Sequence, residues 1–265
     1  MVRNNIIALL FTFSLFVMAG CGHNPKDDTE PEQLISVNFS TMSMLGEDLL
    51  KSAATAEEDL ITKIILFGIN DEGAVITNIP AFTGVSLSGT QHNISGLSKN
   101  VTSLYAIANP SVTMEMANPS NVTDLMAMTG NFVVAPQSPF LMSCISEVNS
   151  ASINLQFVRT VAKVNITGLP GFVIDSVRVV NTPSVGYVFN RESFSVPTSS
   201  KVSYSYPVGN PSIYIAESSL MNPVQFLVKG RYQNKPDSLT FSLTGGSQIT
   251  DIVRNTYYHV NVGFN

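Results

Sequence analysis

The sequence predicts an all-β protein with two β-sandwich domains in tandem, at residues 34–155 and 156–265, and three observations carry that reading. Apolar residues recur at every second position: Leu239, Phe241 and Leu243 oppose Ser238, Thr240 and Ser242, and Tyr258, Val260, Val262 and Phe264 oppose Tyr257, His259 and Asn261. Val224, Phe226 and Val228 alternate in the same way before Gly230. A period of two marks strands with one buried face. Charged residues make up only 12% of the chain, while Ser, Thr, Asn, Val and Ile abound, which suits strands whose outer faces are neutral and polar. Turn signals separate the runs at Asn70-Asp71-Glu72-Gly73, Asn109-Pro110, Gly209-Asn210-Pro211 and Thr244-Gly245-Gly246.

The amino-terminal residues follow a different logic. Arg3 precedes an apolar run from Ile6 to Met18, and the run ends Met18-Ala19-Gly20-Cys21. A basic start, a short apolar stretch and small residues describe a secretory signal at 1–20, too short for a membrane span of roughly 20 apolar residues. The end of the run resembles the bacterial lipobox, whose cysteine is acylated and becomes the first residue of the mature chain, so Cys21 is the expected lipidation site. The alternative is an ordinary signal peptide that leaves Cys21 as a free thiol. Residues 21–33, rich in Pro and charge, read as a flexible tether. Within it Lys26, Asp27 and Asp28 resemble the surface-export signal of Bacteroidota lipoproteins, with a plain solvated tether as the alternative. Together these features predict a surface-exposed outer-membrane lipoprotein.

Beyond the tether, the segment Leu34–Leu50 reads as a first strand, through Leu34-x-Ser36 and Val37-x-Phe39. Helix is scarce. Residues 47–51 and 53–59 suit short turns, and "NVTDLMAMT" suits a helical turn or two, with Asn121 as its cap and Asp124 three residues on. The methionines at 114, 116, 126 and 128 suit irregular core filling better than ligand gripping. "APQSPFLMS" reads as a Pro-broken loop leading into an edge strand. Then "INLQFVRTVAKVNITGLPG" opens a fresh alternating series with Ala162, Val164 and Ile166 facing in, which sets the domain boundary at 155/156.

Little in the chain is suited to catalysis. The net charge is −5, more negative still without Arg3, and there are no basic runs, which argues against nucleic acid as a partner. His23, His92 and His259 are scattered without a second ligand at metal-binding spacing, so no metal or cofactor is expected. No zinc-protease, serine-hydrolase elbow or phosphate-loop motif occurs. Cys144 sits among apolar residues and reads as a buried, inert thiol. Glu217 reads as a hydrogen-bonded turn carboxylate, since a glycosidase pair would need a second acid. No enzyme is predicted. A surface glycan-binding lipoprotein is the alternative: sugar platforms lean on aromatic faces, and the chain offers tyrosines at 187, 204, 206, 232, 257 and 258 but no Trp.

Four stretches carry a further signal: "EEDLITKIILFGINDEG" (57–73), "RTVAKVNITG" (159–168), "YIAESS" (214–219) and "DIVRNTYYHVNVGF" (251–264). In this order they resemble the fimbrillin family of Bacteroidales, the subunits and anchors of type V pili. The resemblance implies two transthyretin-like Greek-key β-sandwich domains in tandem. It also implies a fimbrial or cell-adhesion role, with other fimbrial subunits as partners through strand addition after a protease removes the first strand. Shaft subunits of the family are cut after an Arg near the end of that strand, yet no Arg lies between Cys21 and Arg159. Lys51 is the candidate processing site instead, or else a solvated loop lysine with the strand left in place. The chain ends soon after the Tyr257-Tyr258 strand, without the longer donor tail expected of a shaft subunit. An anchor, terminal or accessory role is therefore expected rather than a shaft role.

The lipidation site is directly testable. Cells fed a fatty-acid analogue should label the wild-type protein, and Cys21→Ala should abolish the label. Equal labelling of the two would remove the lipoprotein reading.

Overall fold

Strands dominate the described residues. The computed structural model of the protein describes residues 32–46, 54–207, 212–243 and 251–263. The first half holds β1 (Glu32–Thr41), β2 (Leu45–Gly46), β3 (Lys63–Ile69), β4 (Val75–Thr83), β5 (Gln91–Ser98) and β6 (Ser103–Ala108). The short helices α1 (Val112–Glu115) and α2 (Val122–Ala127) follow, then β7 (Thr129–Asn131), β8 (Met142–Glu147) and β9 (Ser152–Arg159). The second half holds β10 (Val161–Gly168), β11 (Phe172–Pro183), β12 (Val185–Tyr187), β13 (Lys201–Pro207), β14 (Ser212–Ala216), β15 (Gln225–Tyr232), β16 (Lys235–Ser242) and β17 (Thr256–Val262).

Seven strands of the first half form one sheet in the order β4-β3-β6-β8-β9-β1-β5. Only two residue pairs, Met142 with Arg159 and Ser143 with Val158, join β8 to β9. Side chains from both sides of that joint share a single core: Ile64, Leu66, Leu104 and Ala106 meet Ile35, Val37, Phe39, Leu155 and Phe157. The sheet must therefore fold over at the joint, so that its two parts face each other as in a sandwich. Cys144 lies in this core. Burial pushes its thiol up to about 11, which keeps it protonated and unreactive at neutral pH.

The strand β3 is buried on both faces. Its outward residues Ile65, Phe67 and Ile69 lie under a separate apolar layer made by Met114, Leu125, Val188 and Phe189, with Met126 and Met128 packed against it. These methionines do fill an irregular core, although Met116 is exposed. The helix α2 starts where the sequence places it: the Asn121 side chain accepts from the Asp124 amide at 3.0 Å, and the Asp124 carboxylate accepts from the Ser120 amide at 2.9 Å.

The second half repeats the pairing scheme of the first. β1 runs antiparallel to β5 and parallel to β9; β10 runs antiparallel to β14 and parallel to β17. β3 lies between β4 and β6, and β6 pairs onward with β8. In the same way β11 lies between β13 and β15, and β15 pairs onward with β16. Ala162, Val164, Val179, Phe226, Val228 and Tyr258 form the core of this half, with Ile166 and Phe241 against it. β9 runs unbroken across 155/156, and the passage between cores falls later, since Val161 packs in the first and Ala162 in the second.

One local expectation is corrected. β8 is not an edge strand but lies between β6 and β9, because its backbone pairs with β6 along its length and with β9 at Met142 and Ser143. The outer face of its first half is covered too: Ser143 is buried and its hydroxyl donates to the Val188 carbonyl at 2.7 Å. In β1, Ile35 joins Val37 and Phe39 in the core, and Leu34 is 62% exposed. An irregularity in the β1–β5 register between Gln33 and Ile35 accompanies this choice of face, as expected where one residue of slip exchanges inside and outside.

The register of β16 against β15 gives a stability test. Phe226 is fully buried and stacks on Phe241 with ring centroids 5.3 Å apart, whereas Thr240 points outward. Phe226→Ala should cost about 3–5 kcal/mol in urea denaturation, and Thr240→Asp less than about 0.5 kcal/mol. A larger loss for Thr240→Asp would mean that the inner and outer faces are exchanged.

Candidate functional site

Two connected features stand out: the place of β1 in its sheet and a buried polar seam where the halves meet. Cys21, Lys26, Asp27, Asp28 and Lys51 lie outside the described residues. Among the described residues no group of three His, Cys, Asp or Glu is placed to hold a metal ion, and no helix is long and apolar enough to cross a membrane. His259 is exposed on the outer face of β17, facing the Thr167 hydroxyl at 3.0 Å. Tyr204, Tyr206 and Tyr258 are buried in the second core, so they present no face to a sugar.

β1 fills a slot between β5 and β9. It pairs with β5 from Glu32–Ser98 to Asn38–Gln91, and with β9 from Ser36–Ser152 to Thr41–Phe157. Both of its backbone edges are thus occupied. Ile35, Val37 and Phe39 are each no more than 1% exposed, and the Phe39 ring stacks on His92 and meets Phe82 and Phe157 edge-on. Taking β1 away would leave two unpaired strand edges and an apolar trough.

Where β1 ends, the seam begins. Arg159 closes β9 and its side chain is fully buried. Its Nε donates to the Glu58 carbonyl at 3.0 Å, and Nη1 donates to the Met42 carbonyl and to Asn255 Oδ1, both at 2.8 Å. Nη2 pairs with the Asp59 carboxylate. A guanidinium buried without such acceptors would be very costly, so four separate segments are drawn to one point. Asn255, with φ +54°, sits in the left-handed region that Asn tolerates better than most residues. It spans the seam: its Nδ2 donates to the Ser43 carbonyl at 3.0 Å, its carbonyl accepts from the Leu45 amide at 2.9 Å, and its own amide donates to the Val161 carbonyl at 2.8 Å.

The acids at 57–59 lie in a single turn shaped by a reciprocal cap, in which the Thr55 amide donates to Glu58 Oε2 and the Glu58 amide donates to Thr55 Oγ1. The other carboxylate oxygen of Glu58 meets Lys163 Nζ at 2.7 Å and accepts from the Tyr214 hydroxyl. Burial alone would raise the Glu58 pKa, but the hydrogen bonds from Lys163, Tyr214 and Thr55, with the charge of Lys163, outweigh it and hold the group below its ordinary value. Burial and the Glu58 carboxylate raise Tyr214 in turn.

A second buried pair fastens the outer layer. Glu217 is no turn carboxylate: it meets Arg254 Nη2 at 2.5 Å and accepts from the Arg254 amide at 3.2 Å. Arg254 also donates to the carbonyls of Tyr187 and Val188, both at 2.7 Å, and so holds in place the segment whose Val188 and Phe189 cover β3. Of the residues in the quoted motifs, Arg159, Lys163, Tyr214 and Asn255 therefore converge on the seam, while Glu217 and Arg254 form the separate pair beneath the outer layer. Met42, Ser43 and Leu45 join it through main-chain groups alone, which leave no mark in a sequence.

The Glu58 cluster has a pH signature. A carboxylate whose folded pKa lies below its unfolded value, near 4.3, contributes stability that is present above that value and lost as pH falls through the folded pKa. The wild-type melting temperature should therefore fall on acidification below about pH 4.5. Glu58→Gln should cost roughly 3–5 kcal/mol at pH 7 by stranding Lys163, and it should flatten the acid limb of the melting profile. An acid limb of unchanged steepness in the variant would show that Glu58 is not the titrating group.

No protein family and no curated protein matches the chain. Solved structures do. A candidate cell adhesion protein from Bacteroides eggerthii aligns with TM-score 0.63 and 14% identity, over 88% of this chain and 86% of its own. The tip fimbrial protein Mfa3 from Porphyromonas gingivalis aligns with TM-score 0.61 and 14% identity, over 89% of this chain and 96% of the other. A fimbrial assembly protein from Parabacteroides distasonis aligns with TM-score 0.60 and 16% identity, over 88% and 91%. The protein thus shares its fold, over most of its length, with adhesion and fimbrial proteins of three Bacteroidales genera.

Proposed function

We propose that the protein is a lipid-anchored fimbrial or adhesin component of the bacterial cell surface, an anchor, terminal or accessory subunit that meets its neighbours by strand exchange. The observation that carries this reading is the position of β1. It is the first described strand, it lies between β9 and the edge strand β5, and it contributes an alternating apolar row to the core. Its counterpart in the second half, β10, follows β9 with only Thr160 between them and cannot leave without tearing the chain's middle. β1 combines a deep slot with a connection that one cut could free, and strand addition to such a slot gains both backbone hydrogen bonds and side-chain pockets.

The shared fold with fimbrial and adhesion proteins supports the same reading. In it, the repeated pairing scheme reflects two transthyretin-like domains in tandem, Cys21 carries the lipid, Lys26, Asp27 and Asp28 direct the chain outward, and Lys51 is where β1 could be released. With β1 in place the slot is full and the protein ends or anchors an assembly; without β1 the protein accepts a neighbour's strand.

Mass spectrometry of the protein recovered from native cells, after surface crosslinking, tests this. The expected species begins at lipid-modified Cys21 and is crosslinked to fimbrial subunits. A species beginning at Ser52 would replace the anchoring role by that of a polymerising subunit, and crosslinks that never include a fimbrial subunit would overturn the fimbrial reading.

A further inference from the structure

We infer that Arg159 and Asn255 act as a register gauge for whatever strand occupies the β1 slot, accepting only a strand that continues past its apolar row and delivers two consecutive main-chain carbonyls to the seam. The inference rests on the strand-exchange reading above and specifies which partner strand the slot fits.

The slot has two parts with different demands. Its upper part, beside β5 and β9, is satisfied by any extended backbone with apolar side chains at the positions of Ile35, Val37 and Phe39. Such a pattern is common and would tolerate slippage by two residues, since every second position is equivalent in a strand. The lower part is not tolerant. There the Met42 carbonyl meets Arg159 Nη1 at 2.8 Å, the Ser43 carbonyl meets Asn255 Nδ2 at 3.0 Å, and the Leu45 amide returns a bond to the Asn255 carbonyl at 2.9 Å. The Met42 amide still belongs to the β9 edge, donating to the Phe157 carbonyl at 2.8 Å. Met44, which lies between these residues in the chain, is 1% exposed.

With the strand seated, Arg159 and Asn255 are fully or almost fully buried, so a strand that stops short or arrives out of register exchanges their fitted acceptors for water in a partly closed joint. The Arg159 guanidinium stays charged at any accessible pH and cannot shed the demand by losing a proton. A fitting partner strand therefore has apolar residues at three alternate positions, a buried residue at the position of Met44 five beyond the last of them, and no proline at the positions of Met42 and Leu45, whose amides are used. It must be a continuous segment spanning the positions of Ile35 to Leu45.

The test uses the whole chain with a specific protease site introduced between residues 46 and 54, cut so that both pieces remain together. Labelled peptides are offered in mild denaturant, and their uptake and dissociation are followed by fluorescence anisotropy. One peptide carries residues 32–46, a second stops at 41, and a third carries 32–46 with one Gly inserted after Thr41, which keeps the apolar row but shifts the carbonyls. The long peptide should be held at least about tenfold longer than the short one, and the inserted peptide should behave like the short one. Asn255→Gly, which keeps the left-handed backbone but removes the amide, should erase much of the long peptide's advantage. Equal retention of the long, short and inserted peptides on the wild-type chain would overturn the gauge while leaving strand exchange standing. Uptake of none of them would overturn strand exchange, and the gauge with it.

Discussion

A buried guanidinium that cannot lose its charge sets the terms for the rest of this protein. Burial lowers the Arg159 pKa, and the charges of Asp59 and Glu58 oppose that shift, but the group remains a cation with five N–H donors. Satisfying it brings together the end of the first strand, the turn at 55–59, the β9–β10 passage and the start of β17. Replacing one of these acceptors would not simply lose a bond; it would leave charge stranded in a dry joint. Such a cluster adds little net stability over an apolar joint of the same volume. What it adds here is direction, because each donor has one place to go.

The two halves follow one pairing scheme but differ in how their first strands are tied. β10 is held at both ends by its own chain, while β1 is tied at its far end through main-chain contacts to Arg159 and Asn255. The halves are also fastened by different means: Arg159 binds the slot to the seam, and Arg254 with Glu217 secures the apolar layer over β3. The proposed assembly role rests on this difference: the second half is chained at both ends of its first strand, and the first half ends its opening strand at a polar joint.

Much of the fold was legible in the sequence because half-buried strands announce themselves by period two. The faces of β15, β16 and β17 could be assigned from Val224, Phe226, Val228, Phe241, Tyr258 and Val262, and α2 from its Asn121 cap. Where a strand is covered on both sides, as at β3, or begins at an irregular register, as at Ile35, the alternation blurs and the face is ambiguous. The seam was visible only as motif residues without a purpose. Glu58 and Asp59, Arg159, and Asn255 come from three distant parts of the chain, and pairing between distant polar groups leaves no periodic trace. The main-chain carbonyls of Met42 and Ser43 are still less visible, since any residue could supply them.

The parallel pairing of β1 with β9 also bears on how the chain comes to be folded. Ser36 is made early, yet its neighbour Ser152 follows only after β3, β4, β5, β6 and β8 have emerged. Contacts of such long sequence separation close late, because the entropy of the intervening loop must be met first. During synthesis, β1 can find β5 well before β9 exists, and its apolar row then lies on an open sheet edge, the condition in which nascent β-proteins associate wrongly. The sheet of the first half can therefore close only when the segment from Ile153 to Arg159 has arrived and docked beside β1.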